Sequence, residues 1–296
     1  MKIAFVGLGQ MGKPMAMNLL KSGAQLIVNS ASARAFAEFE TRGAWATTDL
    51  AEVARADIIL LCLPNGEVVR DLLLGEKGIA GKLAPGQIVV DTSTITYATT
   101  LEIAQALEAR GIAFVDAPVS GMEARAIEGT LTVMCGGKRE TFAAVKPYLE
   151  CMGNNILYMG GVGSGQLTKL INQLLFDINC AALAEILPMA VKMGLDTAKV
   201  GDVVNSGTGR SYASEFFIPR ILNDGFSAGY PMKHAYKDLV SAAELGAKLC
   251  IPMPVLAAAT ATYQNALLRG HGDKDKGAMI LVFEELLGVK FRKQPD

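Results

Sequence analysis

The chain has 296 residues and a formal net charge of −1; 51% of it is apolar and 19% is charged. That is core material for two domains, and the absence of any block of Lys and Arg excludes nucleic acid and acidic membrane surfaces as partners, since both require clustered positive charge. The five cysteines, Cys62, Cys135, Cys151, Cys180 and Cys250, are odd in number, scattered and without CxxC spacing, so a reducing, cytoplasmic setting is expected, with no disulfide framework and no metal site.

The first residues, MKIAFVGLGQMG, do not read as a signal peptide, because their apolar run is short and broken by glycines. No stretch of 18 purely apolar residues occurs, so no membrane span is expected. Short apolar runs predict strands at 2–7, 25–29, 58–63, 88–91 and 113–116, with a weaker pair at 130–135 and 155–159. Between them, helical patterns fall at 12–22, 31–42, 49–55, 67–73 and 98–109. This alternation predicts an α/β Rossmann-type, doubly wound domain with a mainly parallel sheet and helices on both faces.

After residue 163 the strand signals stop. Residues 166–193 form one long apolar stretch interrupted by Pro188, followed by helical patterns at 197–205, 216–223, 237–249, 255–269 and 275–287. A helix apolar most of the way round is expected to be buried. The reading is a dinucleotide-binding domain at 1–162 and an all-α domain at 163–296, joined by a long buried helix. The boundary falls in the glycine-rich 160–165.

Gly7-Leu8-Gly9-Gln10-Met11-Gly12 follows a predicted strand and opens a helical pattern. In such a GxGxxG the first glycine makes a tight turn, the second lets backbone approach a pyrophosphate, and the third packs helix against strand. The end of the next strand usually selects the cofactor, an acid there favouring NAD. Here Asn29, Ser30 and Ser32 precede Arg34 with no acid, which suits the 2′-phosphate of NADP(H) better than the bare diol of NAD(H). Arg34 reads equally well as a solvated residue at a helix start. Leu63-Pro64-Asn65 and Asp91-Thr92-Ser93-Thr94 also end predicted strands, where ligands bind in open α/β sheets and where ordinary turns are found too.

Asp116-Ala117-Pro118-Val119-Ser120-Gly121 offers a hydroxyl and a flexible turn whose N–H groups could hold a carboxylate. The long helix carries Lys169 with Asn172 and Gln173 three and four residues on, sharing a face. A lysine in so apolar a helix is costly unless paired or shifted towards a general acid/base; its plain alternative is a lysine whose long stem reaches water.

Together these motifs resemble the β-hydroxyacid dehydrogenase family. The match runs from 5–15 through 116–121 and Gly129-Thr130-Leu131 to 163–172 and Lys237-Asp238-Leu239. The resemblance implies hydride exchange between a nicotinamide cofactor and a small carboxylate-bearing aldehyde or hydroxyacid, with no metal. Lys169 would protonate the carbonyl oxygen and Asn172 would orient it. Ser120 and Gly121 would hold the carboxylate, Thr94 would lie beside nicotinamide and substrate, and Lys237 would reach the cofactor. Asp238 would order the closed site and Tyr230 would neighbour the substrate. The chain departs from the common pattern at Met122, where many members have a second glycine, and at Gln173, where many have a second asparagine. Residues 207–212 look closer to the hydroxyisobutyrate and hydroxymethylglutarate enzymes. Imine reductases share the two-domain plan but usually lack the lysine, and catalytically silent cofactor-binding modules of this fold usually lose it. The apolar helical domain also predicts a homodimer or homotetramer.

Overall fold

The computed structural model describes residues 1–293, which divide into two compact units, Met1–Lys169 and the residues from Leu170 onward. Nine strands form one sheet in the first unit: β1 Lys2–Val6, β2 Gln25–Asn29, β3 Trp45–Thr47, β4 Ile58–Leu61, β5 Ile88–Asp91, β6 Ala113–Asp116, β7 Val119–Ser120, β8 Leu131–Gly137 and β9 Gly153–Gly160. Their order is β3-β2-β1-β4-β5-β6-β8-β7, with β9 beside β8. The run from β3 to β6 is parallel throughout, whereas β8 pairs antiparallel with β6 and β7.

Seven helices accompany the sheet: α1 Gly12–Lys21, α2 Phe36–Glu40, α3 Leu50–Val53, α4 Gly66–Leu74, α5 Tyr97–Glu108, α6 Met122–Glu128 and α7 Arg139–Leu149. Alternate strand residues supply two cores. Ile3, Phe5, Ile58, Leu60 and Val90 pack with Met15 and Leu19 of α1. Ala4, Val6, Ile59, Leu61 and Val89 pack with Leu73 of α4 and with Ile103 and Leu107 of α5. A strand covered on both faces must be apolar throughout, which is why β4 reads Ile-Ile-Leu-Leu.

Four elements of this unit lie outside the expected set. β3 and β7 are too short to carry a periodic signal, and Trp45 on the edge strand β3 stays exposed. α6 starts where a flexible turn was expected. α7 buries Thr141, Val145 and Leu149 at helical spacing around an internal Pro147. The helix expected over 31–42 is a 3-10 turn, Ala33–Ala35, followed by the short α2.

The second unit is helical, built from the long α8 Ser164–Lys192, which starts in the first unit, and α9 Thr197–Ser206, α10 Tyr212–Leu222, α11 Met232–Leu249, α12 Pro254–Leu268 and α13 Ile280–Leu287. The break falls within α8, between Lys169 and Leu170, rather than at 162/163, because the helix's first turn is tied to the sheet. Asp116 accepts hydrogen bonds from the backbone N–H groups of Gly163 (2.7 Å) and Gln166 (2.9 Å).

Burial describes one side of α8. Cys180, Ala181, Ala184 and Leu187 enter the second unit's core with Phe217, Leu239, Tyr263 and Met279. Ile171, Leu175, Ile186 and Met189 are 55–61% exposed. At 29 residues and a mean hydropathy of 1.7 in its most apolar window, α8 meets the length and composition of a membrane span. Its contacts are those of a core helix: Asp177 at its centre accepts a hydrogen bond from Tyr263 (2.9 Å) and pairs with Lys276, all three buried.

Candidate functional site

The glycine loop after β1 assigns its three glycines separate tasks. Gly7 has φ +101°, and a Cβ there would lie 2.2 Å from the Cys62 carbonyl oxygen; a Cβ on Gly12 would lie 1.9 Å from the carbonyl of Gly7. Both are fixed by the protein's own backbone. A Cβ on Gly9 would meet nothing within 4 Å, so the backbone there is open to approach from outside. Helix α1 opens with no side-chain cap and no acid in its first turn, leaving the positive end of its dipole to an external anion. These features fit the pyrophosphate of a dinucleotide. Leu8 and Met11 pack half-buried against the sheet core, and the Gln10 amide donates to Glu123 of α6 (2.7 Å).

At the end of β2 the side chains divide their work. Asn29 is buried and donates from Nδ2 to the Thr47 carbonyl (2.9 Å), tying β2 to β3. Ser30 Oγ accepts from Ser32 N–H, Ser32 Oγ accepts from Arg34 N–H, and the Arg34 side chain is exposed. Glu38, the first acid after Arg34, is paired with Lys13 at 2.7 Å, and that ammonium holds its carboxyl below the usual range.

The loops after β4 and β5 are stitched together. Leu63 N–H donates to Ser93 Oγ (2.8 Å), and Pro64 leads into Asn65, whose side chain caps α4 by accepting from Val68 N–H (2.9 Å). Thr94 is half-buried between two residues held by Gln166: the Gln166 amide donates to Ser93 O (2.7 Å) and accepts from Ile95 N–H (3.2 Å).

Ser120 ends β7 half-buried. Gly121, at φ +143°, and Met122, at φ +59°, then turn the chain into α6. This start is well defined: a Cβ on Gly121 would come within 2.9 Å of Arg125 Cβ and of Leu131 Cδ2. The Met122 side chain is 39% exposed.

Asp91 and Asp116 are register partners on β5 and β6, and both are buried. Burial pushes Asp116 up to about 6 against the opposing pull of its N–H donors. It pushes Asp91 up to about 7, with the Asp116 charge adding to the rise. Asp91 accepts from Ser93 N–H (3.0 Å) through one oxygen, while the other accepts no hydrogen bond among the described residues. Lys169 is buried in α8, one turn beyond Gln166.

The glycine loop, Asn29 to Arg34, Leu63 to Asn65, Thr94 and Ser120 to Met122 thus gather in the first unit at or just beyond the carboxyl ends of β1, β2, β4, β5 and β7, with Lys169 as that unit's last residue. Asn172 and Gln173 on α8, Tyr230 before α11, and Lys237 and Asp238 within α11 belong to the second unit. There Asn172 donates to the Gln173 amide oxygen (3.4 Å), the Tyr230 and His234 rings lie 5.7 Å apart, and Asp238 is buried. Among the described residues no group of three or more His, Cys, Asp and Glu side chains is placed to hold a metal ion. Asp91, Asp116 and Gln166 carry no distinctive signal in the sequence beyond, for Gln166, a polar residue at the head of an apolar helix.

Residues 2–160 match the NAD binding domain of 6-phosphogluconate dehydrogenase, and residues 163–283 match the NAD-binding domain of NADP-dependent 3-hydroxyisobutyrate dehydrogenase. The chain is 37% identical to the 2-(hydroxymethyl)glutarate dehydrogenase of Eubacterium barkeri over 97% of its own length and 96% of that protein's. A crystal structure of 3-hydroxyisobutyrate dehydrogenase from Salmonella typhimurium superposes with a TM-score of 0.85 at 30% identity, covering 95% of this chain and 99% of that one. The structure of Psf3 in complex with NADP+ and 2-OPP does so with a TM-score of 0.82 at 27% identity, covering 95% and 99%.

Proposed function

The chain belongs to the β-hydroxyacid dehydrogenase family and is an NAD(P)-dependent oxidoreductase of hydroxyacids and their semialdehydes; on that footing we propose that Lys169 carries the proton and that NADP(H) is preferred to NAD(H). The observation that carries the proposal is the buried Lys169, one turn beyond a helix start anchored to the sheet by Asp116.

A nicotinamide cofactor bound at the glycine loop would supply or accept hydride at the substrate carbon. In the reducing direction Lys169 gives a proton from Nζ to the carbonyl oxygen; in reverse it takes that proton from the hydroxyl. A fixed ammonium beside an oxygen gaining negative charge stabilises the transition state more than the ground state. Ser120 Oγ and the backbone N–H of Gly121 hold the substrate carboxylate, and Thr94 borders the reacting carbon. Proximity of this kind is worth several orders of magnitude in rate. The glycine loop and the uncapped start of α1 hold the pyrophosphate.

The preference for NADP(H) is supported by the absence of an acid over 29–34, by the exposed Arg34, and by Lys13 neutralising Glu38. The substrate is a small aldehyde acid or β-hydroxyacid of the 3-hydroxyisobutyrate, tartronate or succinic semialdehyde type. We further propose a homodimer or homotetramer. The exposed Ile171, Leu175, Ile186 and Met189 recur along α8 as a stripe that a second copy would cover.

Initial rates with NADPH and NADH against glyoxylate and the succinic, tartronate and methylmalonate semialdehydes test the assignment. Turnover of at least one of them, faster with NADPH, is expected. Preference for NADH would overturn the cofactor reading, and no turnover in either direction would overturn the substrate class.

A further inference from the structure

Gln166 is buried, and both hydrogen bonds of its carboxamide go to backbone. Its amide nitrogen donates to the carbonyl of Ser93 (2.7 Å), its amide oxygen accepts from the N–H of Ile95 (3.2 Å), and its own N–H donates to Asp116 Oδ2 (2.9 Å). The side chain is 2% exposed. The two side-chain bonds span 73 and 71 residues of sequence and bracket one residue, Thr94. One turn along α8 from Gln166 stands Lys169.

The bracket extends further. Ser93 N–H donates to Asp91, and Ser93 Oγ accepts from Leu63 N–H, so the loops ending β4 and β5 are tied to each other. Asp116 accepts from Gly163 as well as from Gln166, so the start of α8 is fixed to the end of β6. Each of these groups also satisfies the ordinary demand for buried hydrogen-bond partners. Gln166 joins the loop to the helix by side-chain bonds on both sides of Thr94.

We propose that Gln166 is a positioning residue for the reaction, holding Thr94 and Lys169 in one register by bracketing Thr94 from the helix that carries the lysine. The inference rests on the reading of Lys169 as proton carrier. It adds that the spacing between lysine and loop is set by one amide rather than by the helix alone. A misplacement of about 1 Å at such a site costs roughly 100-fold in rate. Loss of the bracket should therefore appear in kcat, with cofactor binding and fold retained.

Three variants decide the matter, each followed by kcat, KM, NADPH affinity and melting temperature. Gln166→Met keeps the length and removes both side-chain bonds; kcat should fall roughly 10- to 100-fold, with NADPH affinity within about threefold of wild type. Gln166→Glu keeps the acceptor for Ile95 and loses the donor to Ser93 while ionised, but regains it when protonated. Its kcat relative to wild type should therefore recover as the pH falls. Unchanged kcat in Gln166→Met, or a Gln166→Glu deficit that does not vary with pH, would overturn the proposal and leave Gln166 as a packing residue; should the methionine variant not fold, the glutamate pH series decides alone. Lys169→Ala separates this from the underlying reading. If that variant turns over like wild type, the proton-carrier reading fails. If it collapses while Gln166→Met does not, only the positioning role fails.

Discussion

Gly9 differs from Gly7 and Gly12 in what a methyl group would meet, and the difference separates folding from binding. At Gly7 and Gly12 alanine drives Cβ into a carbonyl at 2.2 and 1.9 Å, so either substitution should destabilise by roughly 2–4 kcal/mol and lower the melting temperature. Gly9→Ala meets no protein atom, so the melting temperature should hold while NADPH affinity falls at least tenfold in a fluorescence titration. Equal affinity in Gly9→Ala would mean the loop does not receive the pyrophosphate. Asp91 gives a second prediction at this scale. Burial lifts its folded value to about 7 from 3.8, so the folded chain holds the proton more tightly than the unfolded one. The stability this confers is complete below about pH 4 and is lost progressively as pH rises from there through about 7, at up to about 1.4 kcal/mol per pH unit. Asp91→Asn should flatten part of that slope in urea titrations across the pH range, Asp116 supplying the remainder with its value near 6. An unchanged slope would show that Asp91 does not titrate there.

At the scale of elements, α8 joins the two chemistries of the chain, and its two ends were unequally legible. Its length and apolar character were plain from 166–193, as was the alternation that builds β1, β2 and β4 to β6. Its anchorage was not. The bonds to Asp116 span 47 and 50 residues, and periodicity reports only local neighbours. The same limit hid the pairing of Asp177 with Lys276, 99 residues apart. That buried pair predicts an asymmetry: Lys276→Met strands a buried carboxylate and should cost roughly 3–5 kcal/mol in urea unfolding. Adding Asp177→Asn, which removes the charge but keeps an acceptor for Tyr263, should recover most of the loss. A double variant no more stable than the single would show that the charge is not the cause. α6 and α7 were unread for different reasons, one opening at a positive-φ Met122 and the other carrying Pro147 inside a helix.

For the whole molecule, the glycine loop, Ser120 and Lys169 stand out in the sequence because each lies in a contiguous motif with its own chemistry. The hydrogen bonds that tie their segments together were unreadable because they run from side chains to the backbone of distant segments. The exposed stripe on α8 belongs at this scale as well. Sedimentation equilibrium at micromolar concentration should give a dimeric or tetrameric mass, and Leu175→Glu with Ile186→Glu should shift it towards the 31.3 kDa monomer. A monomeric wild type would remove the oligomer from the account. The central claim is that Lys169 moves the proton, and single-turnover reduction of the best aldehyde acid by wild type and Lys169→Ala, with NADPH bound and saturating, tests it most directly. The chemical step should slow by at least about 1000-fold in the variant, with NADPH affinity unchanged. A variant that turns over within about tenfold of wild type would contradict the claim.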